Sequence, residues 1–126
     1  MRYLLDTHAL LWFLGNSEEL SDRALGIIEN EPEIHVSVAS LWEIAIKQSI
    51  GKMKWPHSPS YMKWICDSEN ISVLPVLPAH LDRLQNLPKF HNDPFDRLLI
   101  CQAQAENLVL VTHDSIVPKY PVETIW

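Results

Sequence analysis

The sequence has few cysteines and no apolar run long enough to span a membrane. Its two cysteines, Cys66 and Cys101, lie in apolar surroundings without a C-x-x-C spacing, which predicts buried free thiols rather than a disulfide or a metal pair. The apolar N-terminal segment is interrupted by Asp6 and His8 and lacks a cleavage site, so it is not typical of a signal peptide. We therefore expect a cytoplasmic protein that makes no membrane contact.

An excess of positive charge is also missing. The chain has 10 Lys and Arg against 16 Asp and Glu, and its net charge of -6 argues against binding nucleic acid through the field of the whole surface. One segment differs, because residues 44–66 contain no acid and interleave lysines with aromatic residues: Lys47, Lys52, Lys54 and Lys63 with Trp55, Tyr61 and Trp64. This segment is either a solvated helix face with core aromatics or a surface for RNA or a protein partner.

The length of 126 residues, with 47% hydrophobic and 21% charged residues, predicts one globular domain spanning residues 1–126. Apolar segments typical of strands alternate with segments of helical periodicity. The predicted strands are 2–6, 34–38, 71–76, 108–112 and 122–125, and the predicted helices are 9–14, 21–30, 40–51, 60–69, 78–87 and 94–107. This order predicts an α/β fold, in which a central parallel sheet of about five strands has helices on both faces.

Four acidic residues fall at the predicted carboxyl edge of this sheet, where open parallel sheets bind ligands. Asp6 ends the first strand and Asp114 follows the fourth, while Glu43 and Asp96 lie in the first turns of helices. Clustered carboxylates repel one another unless a cation lies between them, and oxygen ligands favour Mg²⁺ or Mn²⁺ over zinc. Such a site would activate water for phosphodiester hydrolysis. The four acids are therefore candidate metal ligands and catalytic residues.

Three of these acids also have a purely structural explanation. Asp6 could cap the next helix, and Asp114 could be a turn residue. Glu43 could complete a capping box with Ser40 and form an ion pair with Lys47, four residues later. Each structural explanation is sufficient for its own residue considered alone. All four acids at one edge of a sheet are less easily explained in this way.

The segment around Pro94 assigns different roles to its two aspartates. If Asp93 is the N-cap, Pro94 occupies the first helical position and Asp96 falls at the third. Asp93 is then structural first. Asp96 is free to point into the cleft, although an acid in the first turn also favours the helix dipole.

Four segments occur in a specific order along the chain: LLDTHALLW, SVASLWEIAIK, HNDPFDRLLICQAQ and LVLVTHD. Together they resemble the PIN-domain nucleases, specifically the VapC-like toxins of bacterial toxin–antitoxin pairs, over nearly the whole chain. The resemblance implies a three-layer α/β/α PIN fold and Mg²⁺-dependent endoribonuclease activity. The acidic quartet of the family matches Asp6, Glu43, Asp96 and Asp114, and Thr112 matches the hydroxyl residue that helps to orient the last acid.

The resemblance also implies partners, namely an RNA substrate, a small antitoxin that blocks the site, and a second copy of the chain in a homodimer. The segment 44–64 is our candidate for one of the protein contacts, because its aromatics could anchor an interface and its lysines could meet an acidic antitoxin tail. Candidate contacts to RNA or to a partner are Lys47, Lys52, Lys54, Trp55, Arg97 and His113. The sequence departs from its relatives at His113, where Arg or Asn is common, and at Cys101, where Ala is common.

The histidines divide into two groups. His8, His91 and His113 lie near proposed acids, and one of them could protonate a leaving group or touch RNA. The others, His35, His57 and His80, fit surface or packing positions.

Two further function classes remain open at this point. A PIN-fold protein without activity could serve as a binding module. A Mg²⁺-binding receiver domain is less consistent with the sequence, because the first strand offers only Asp6 and residues 74–77, at the end of the third strand, contain no acid.

Overall fold

The computed structural model describes residues 1–126 and contains one parallel five-stranded sheet. Its strands are β1 (Tyr3–Leu5), β2 (Ile34–Ser37), β3 (Ile71–Leu74), β4 (Val109–Val111) and β5 (Thr124–Ile125). They lie in the order β3-β2-β1-β4-β5, and every neighbouring pair is parallel. The predicted parallel sheet is confirmed.

Six α-helices connect and cover the strands. They are α1 (Thr7–Leu14), α2 (Asp22–Asn30), α3 (Val38–Ser49), α4 (Pro59–Ser68), α5 (Pro78–Gln85) and α6 (Pro94–Glu106). A short 3-10 helix, Val117–Lys119, precedes β5. No helix combines the length and the apolar character that a membrane crossing requires.

Hydrophobic residues are buried on both faces of the sheet. Adjacent residues of β1 point to opposite faces, so that Leu5 belongs to a cluster of 16 buried residues and Leu4 to a second cluster of 9. Both leucines have no exposed surface, and burying each of them stabilises the fold by roughly 1.5–3 kcal/mol. The three-layer α/β/α arrangement is therefore confirmed. Cys66 and Cys101 are buried free thiols, as predicted.

The position of β1 in the centre of the sheet determines where the candidate site lies. The chain runs from β1 to β2 and β3 on one side and then crosses to β4 on the other side. Leu5 is paired with Val111 in the β1–β4 register. Side chains that follow these two strands therefore meet at the point where the chain connections diverge, which is where open α/β sheets bind ligands.

The start of α3 corrects one prediction. The helix begins at Val38 rather than at Ser40, because Ser37, the last residue of β2, is its N-cap and accepts a hydrogen bond from the Ala39 amide at 3.0 Å. Ser40 is therefore inside the helix and cannot form the predicted capping box. Glu43 lies in the second turn of α3 and not in the first.

Candidate metal centre

Asp6 links β1 to α1, and its carboxylate is buried at the centre of the carboxyl edge. Its backbone amide donates to the Val111 carbonyl of β4 at 3.1 Å, and Oδ1 accepts from the Ala9 amide at 2.8 Å. The predicted N-cap role is thus confirmed. Burial raises the pKa of Asp6, the Thr112 hydroxyl and the Ala9 amide oppose this rise, and the negative charge of Asp114 adds to it.

The start of α6 sets the direction of Asp96. Asp93 is the N-cap, as predicted, since its Oδ1 accepts from the Phe95 amide at 2.8 Å and from the Asp96 amide at 3.4 Å. Pro94 is the first helical residue, where its missing N–H leaves no donor unsatisfied. The Asp96 side chain is consequently not needed as a cap.

Asp96 has the largest shift among the acids of this site. Burial raises the pKa of its carboxyl group to about 7, and the charges of Asp93, Asp6 and Asp114 contribute to the rise while His91 opposes it. Oδ2 of Asp96 lies 3.3 Å from Nε2 of His91 as an ionic contact, and no hydrogen bond of the protein reaches either carboxylate oxygen of Asp96. Asp96 therefore presents a free carboxylate oxygen in a field of negative charge.

Asp114 is held more tightly. Its Oδ1 accepts from the amides of Ile116 and Val117 at 2.7 and 3.0 Å, and its Oδ2 lies 3.0 Å from Nε2 of His91. Burial raises the pKa of Asp114, but these hydrogen bonds outweigh burial and bring the pKa below its ordinary value. The Asp114 amide donates to Oγ1 of Thr112 at 3.1 Å. Thr112 thus contacts the backbone of the last acid.

Glu43 is buried, but it is tied to other partners. The Thr7 hydroxyl donates to its Oε1 at 2.7 Å and lies 2.9 Å from Oγ of Ser40. Lys47 donates from Nζ to its Oε2 at 2.9 Å, which confirms the predicted i,i+4 ion pair. The negative charge of Glu43 is therefore compensated within the protein.

His91 is the histidine that the structure places among the acids. Its ligand atom and those of Asp96 and Asp114 all lie within 4.8 Å of one another. The other two candidates are exposed and stack on tryptophans, with ring centroids 5.3 Å apart for His8 and Trp12 and 5.1 Å apart for His113 and Trp126. The sequence analysis did not distinguish His91 from His8 and His113, and it did not identify Thr7. The contact of His91 with Asp114 and that of Thr7 with Glu43 each join residues that are far apart in the chain, so no local pattern predicts them.

The candidate RNA or partner contacts differ in accessibility. Lys52, Lys54 and His113 are exposed. Arg97 instead donates to the backbone carbonyls of Leu87, Pro88 and His91, and Lys47 is paired with Glu43. Trp55 packs against the larger core cluster. The aromatic side chains that are most exposed in this region are Trp42 and Trp64, at 60% and 62%.

Comparison with known families gives a match over almost the entire chain, since the PIN domain profile covers residues 3–123. The chain is a PIN domain. This PIN domain is similar in fold to a chain of the VapBC2 complex of Rickettsia felis, which was crystallised with a DNA fragment from its promoter, with a TM-score of 0.71, 17% identity and coverage of 99% and 98% of the two chains.

Two other solved structures show the same fold. A toxin–antitoxin complex from Klebsiella pneumoniae gives a TM-score of 0.71 at 15% identity, covering 98% of this PIN domain and 96% of the other chain. VapBC-1 from nontypeable Haemophilus influenzae gives a TM-score of 0.69 at 18% identity, with coverage of 99% and 97%. A comparison with curated protein sequences finds no significant match.

The residues at the carboxyl edge of this PIN domain suit a hard divalent cation. Asp6, Asp96 and Asp114 are coupled by mutual repulsion, and Asp96 has a free oxygen. Oxygen donors of this kind are the ligands that Mg²⁺ and Mn²⁺ prefer. A cation there would relieve the repulsion that raises the pKa of Asp96.

Proposed function

We propose that this PIN domain is a divalent-metal-dependent endoribonuclease that acts as the toxin of a toxin–antitoxin pair. The observation that carries the proposal is that ligand atoms of Asp96 and Asp114 lie within 4.8 Å of one another and that Asp6, at the end of β1, is electrostatically coupled to both, in a chain that belongs to a family of nucleases. An acid with a pKa near 7 in a polar cleft is a frequent mark of a functional site.

In our proposal, Asp6 and Asp96 would hold the first Mg²⁺ or Mn²⁺. When bound, the cation supplies an activated water and compensates the charge of the phosphate group. Asp114 has both oxygens engaged in hydrogen bonds, which suits a ligand of a second ion or a contact through water. Thr112 and Asp93 support the acids through the backbone contacts described above.

Glu43 would orient the attacking water or complete the ligand set. Glu43 accepts a hydrogen bond from Thr7, which is the residue after Asp6. This contact links Glu43 to the β1–α1 junction, where Asp6 lies. The ion pair of Glu43 with Lys47, at 2.9 Å, compensates its negative charge within the protein.

The family resemblance and the local charge support the proposal that the substrate is RNA. The whole chain carries a net charge of -6, so the cations at the site must offset the repulsion between the protein and a polyanion. The exposed Lys52, Lys54 and His113 are the candidate contacts to RNA phosphates.

The test is cleavage of a mixed cellular RNA pool by the purified, antitoxin-free protein in Mg²⁺, in EDTA and with Asp96→Asn. We expect discrete cuts that require the metal and fall by more than about 100-fold in Asp96→Asn, since outer ligand partners alone contribute 10–100-fold. Asp67→Asn is the matched control, because Asp67 is exposed and lies outside the acid cluster. No cleavage above the Asp96→Asn level by the folded protein would favour a binding module without activity.

An antitoxin is the partner we propose for a second surface. Val38, Trp42 and Ile46 of α3 and Ile50, the residue that caps its end, follow one another at intervals of four residues and are 36–60% exposed, and we call them the α3 stripe. Exposed contiguous apolar residues of this kind mark interaction sites. Lys47, Lys52 and Lys54 belong to the same segment, so an acidic partner is favoured over a second copy, whose lysines would be brought close to these.

The α3 stripe is tested by measuring binding to a cognate antitoxin and self-association of the purified protein. Trp42→Ser should weaken binding by about tenfold or more, as is typical of an exposed tryptophan at the centre of an interface. Leu81→Ser, which changes an exposed apolar residue of α5, is the control. Trp55→Ala is less useful, because Trp55 packs against the core. A loss of self-association with unchanged antitoxin binding would assign the stripe to a homodimer, which the family resemblance also implies.

A further inference from the structure

His91 occupies a position between two acids from different parts of the chain. Its side chain is buried, and Nε2 lies 3.0 Å from Oδ2 of Asp114 and 3.3 Å from Oδ2 of Asp96. Asp96 comes from the first turn of α6, and Asp114 comes from the segment after β4. His91 is therefore a bridge between the two elements that contribute acids on this side of the site.

The backbone determines which nitrogen of His91 carries the proton. The Asp93 amide donates to Nδ1 of His91 at 3.0 Å, so Nδ1 uses its lone pair as an acceptor. The hydrogen of the neutral ring is then on Nε2. That N–H donates to Oδ2 of Asp114 at 3.0 Å, and Oδ2 of Asp96 lies 3.3 Å from the same nitrogen as an ionic contact.

The loop that carries His91 is itself held in place. The His91 amide donates to the Tyr120 hydroxyl at 2.8 Å, and this hydroxyl donates to the Pro88 carbonyl at 2.6 Å. Arg97 donates to the carbonyls of Leu87 and Pro88 at 3.2 and 2.9 Å. His91 is thus held in place by contacts of its ring and of its backbone amide, and by the hydrogen bonds of the neighbouring loop.

We infer that His91 is a positioning residue of the metal centre: its Nε2–H holds the carboxylates of Asp96 and Asp114 in one arrangement, and His91 is not itself a metal ligand. The inference rests on the proposed function. Coordination through Nε2 would need a lone pair there and the proton on Nδ1, where it would face the N–H of Asp93. Hydrogen-bonded partners of this kind orient metal-binding carboxylates and keep them from rotating away.

Two substitutions separate the two hydrogen bonds of the ring. In His91→Asn the amide oxygen can still accept from the Asp93 amide, but the side chain is too short to reach the acids. In His91→Gln the longer side chain places an N–H donor near the position of Nε2. His57→Ala is the matched control, because His57 packs against Trp55 and Tyr61 and does not belong to the group of His91, Asp96 and Asp114.

The experiment is titration of the full-length protein with Mn²⁺, measured calorimetrically and by electron paramagnetic resonance, after circular dichroism has shown that each variant is folded. We expect His91→Asn to bind Mn²⁺ about 10–100-fold more weakly than the wild type. His91→Gln should recover most of this loss, and His57→Ala should bind Mn²⁺ as the wild type does. Electron spin echo spectra of the Mn²⁺-loaded wild type should lack the strong ¹⁴N coupling of a ligated imidazole.

The results that would overturn the inference are distinct from those that would overturn the proposed function. Equal Mn²⁺ affinity in His91→Asn and the wild type would show that His91 does not position the acids. A strong ¹⁴N coupling that disappears in His91→Gln would make His91 a ligand instead. Failure of the wild type itself to bind Mn²⁺ would refute the metal-dependent function, and with it the role of His91.

Discussion

The acids of this PIN domain fall into two groups that differ in how their charge is compensated. Asp6, Asp96 and Asp114, which we call the unpaired cluster, repel one another, and the pKa of Asp96 is raised to about 7 as a result of burial and this repulsion. Glu43 is as deeply buried as Asp6, with 6% exposure for each, but it is paired with Lys47 at 2.9 Å. Lys47 compensates Glu43, whereas no lysine or arginine pairs with the three acids of the unpaired cluster, of which only Asp114 is stabilised by hydrogen bonds, to His91 and to the amides of Ile116 and Val117.

The comparison separates an acid whose charge is compensated without metal from acids that are available to bind a metal ion. Lys47 compensates the charge of Glu43, as an external cation would compensate the charge of the unpaired cluster. Added metal should therefore stabilise the unpaired cluster and not Glu43. Keeping acids uncompensated destabilises the metal-free protein, and this is typical of sites whose function requires a ligand.

The largest expected effect is the pH dependence of stability without metal. Because the folded-state pKa of Asp96 is about 7, against 3.8 for an ordinary aspartate, folding disfavours its ionised form. The unfolding free energy should therefore decrease as pH rises from about 4 to about 7, and Asp96→Asn should be more stable than the wild type by about 2–4 kcal/mol at pH 8.

This effect is measured by urea denaturation in EDTA at pH 5 and at pH 8, for the wild type and Asp96→Asn. Burial lowers the pKa of His35, and the contribution of this histidine to the pH dependence is common to both proteins and cancels in their difference. A difference that does not grow between pH 5 and pH 8 would contradict the raised pKa. Clear destabilisation by Asp96→Asn would favour a structural role for this acid.

An intermediate effect is expected when the paired acid loses its cation. Lys47→Met leaves Glu43 buried with only the Thr7 hydrogen bond, which should lower the unfolding free energy in EDTA by about 2 kcal/mol, since breaking fully buried ion pairs costs more. Lys63→Met is the matched control, because it removes an i,i+4 pair whose side chains are 50% and 56% exposed. That change should cost less than about 0.5 kcal/mol. Equal losses in the two variants would show that Glu43 does not depend on Lys47.

The smallest effect is the stabilisation of the wild type by Mn²⁺. At ten times the dissociation constant, a single site that forms only in the folded protein adds about 1.4 kcal/mol. We expect this increase in thermal and urea unfolding of the wild type and little or none in Asp96→Asn. An equal increase in Asp96→Asn would place the bound ion away from the unpaired cluster.

Sequence reasoning predicted the order of the elements well because each is encoded locally. The apolar run before Asp6 and the Asp93-Pro94 start of α6 are recognisable from a few neighbouring residues. It failed at the start of α3, where Ser37 and Ser40 are both acceptable caps by type. The choice between them depends on where β2 leaves the sheet, which is a property of the tertiary structure.

The candidate site could be predicted only in part for a similar reason. Asp6 and Asp114 follow strands of a parallel sheet, so topology brings them to one edge. The bridge from His91 to Asp114 spans 23 residues, and the contact between Thr7 and Glu43 spans 36. No periodicity in the sequence encodes such pairs, because they form only when the sheet and helices have packed.

The sequence by itself determined the alternation of strands and helices, and the edge of the sheet to which Asp6, Asp96 and Asp114 belong, since both follow from local hydrogen bonding and from parallel connections. Only the tertiary structure decided that Asp96 is buried among other acids without a lysine or arginine partner, and that His91 lies between two acids. The physical reason is that charge compensation depends on burial and on distances of a few ångström between distant segments, and both arise only on folding.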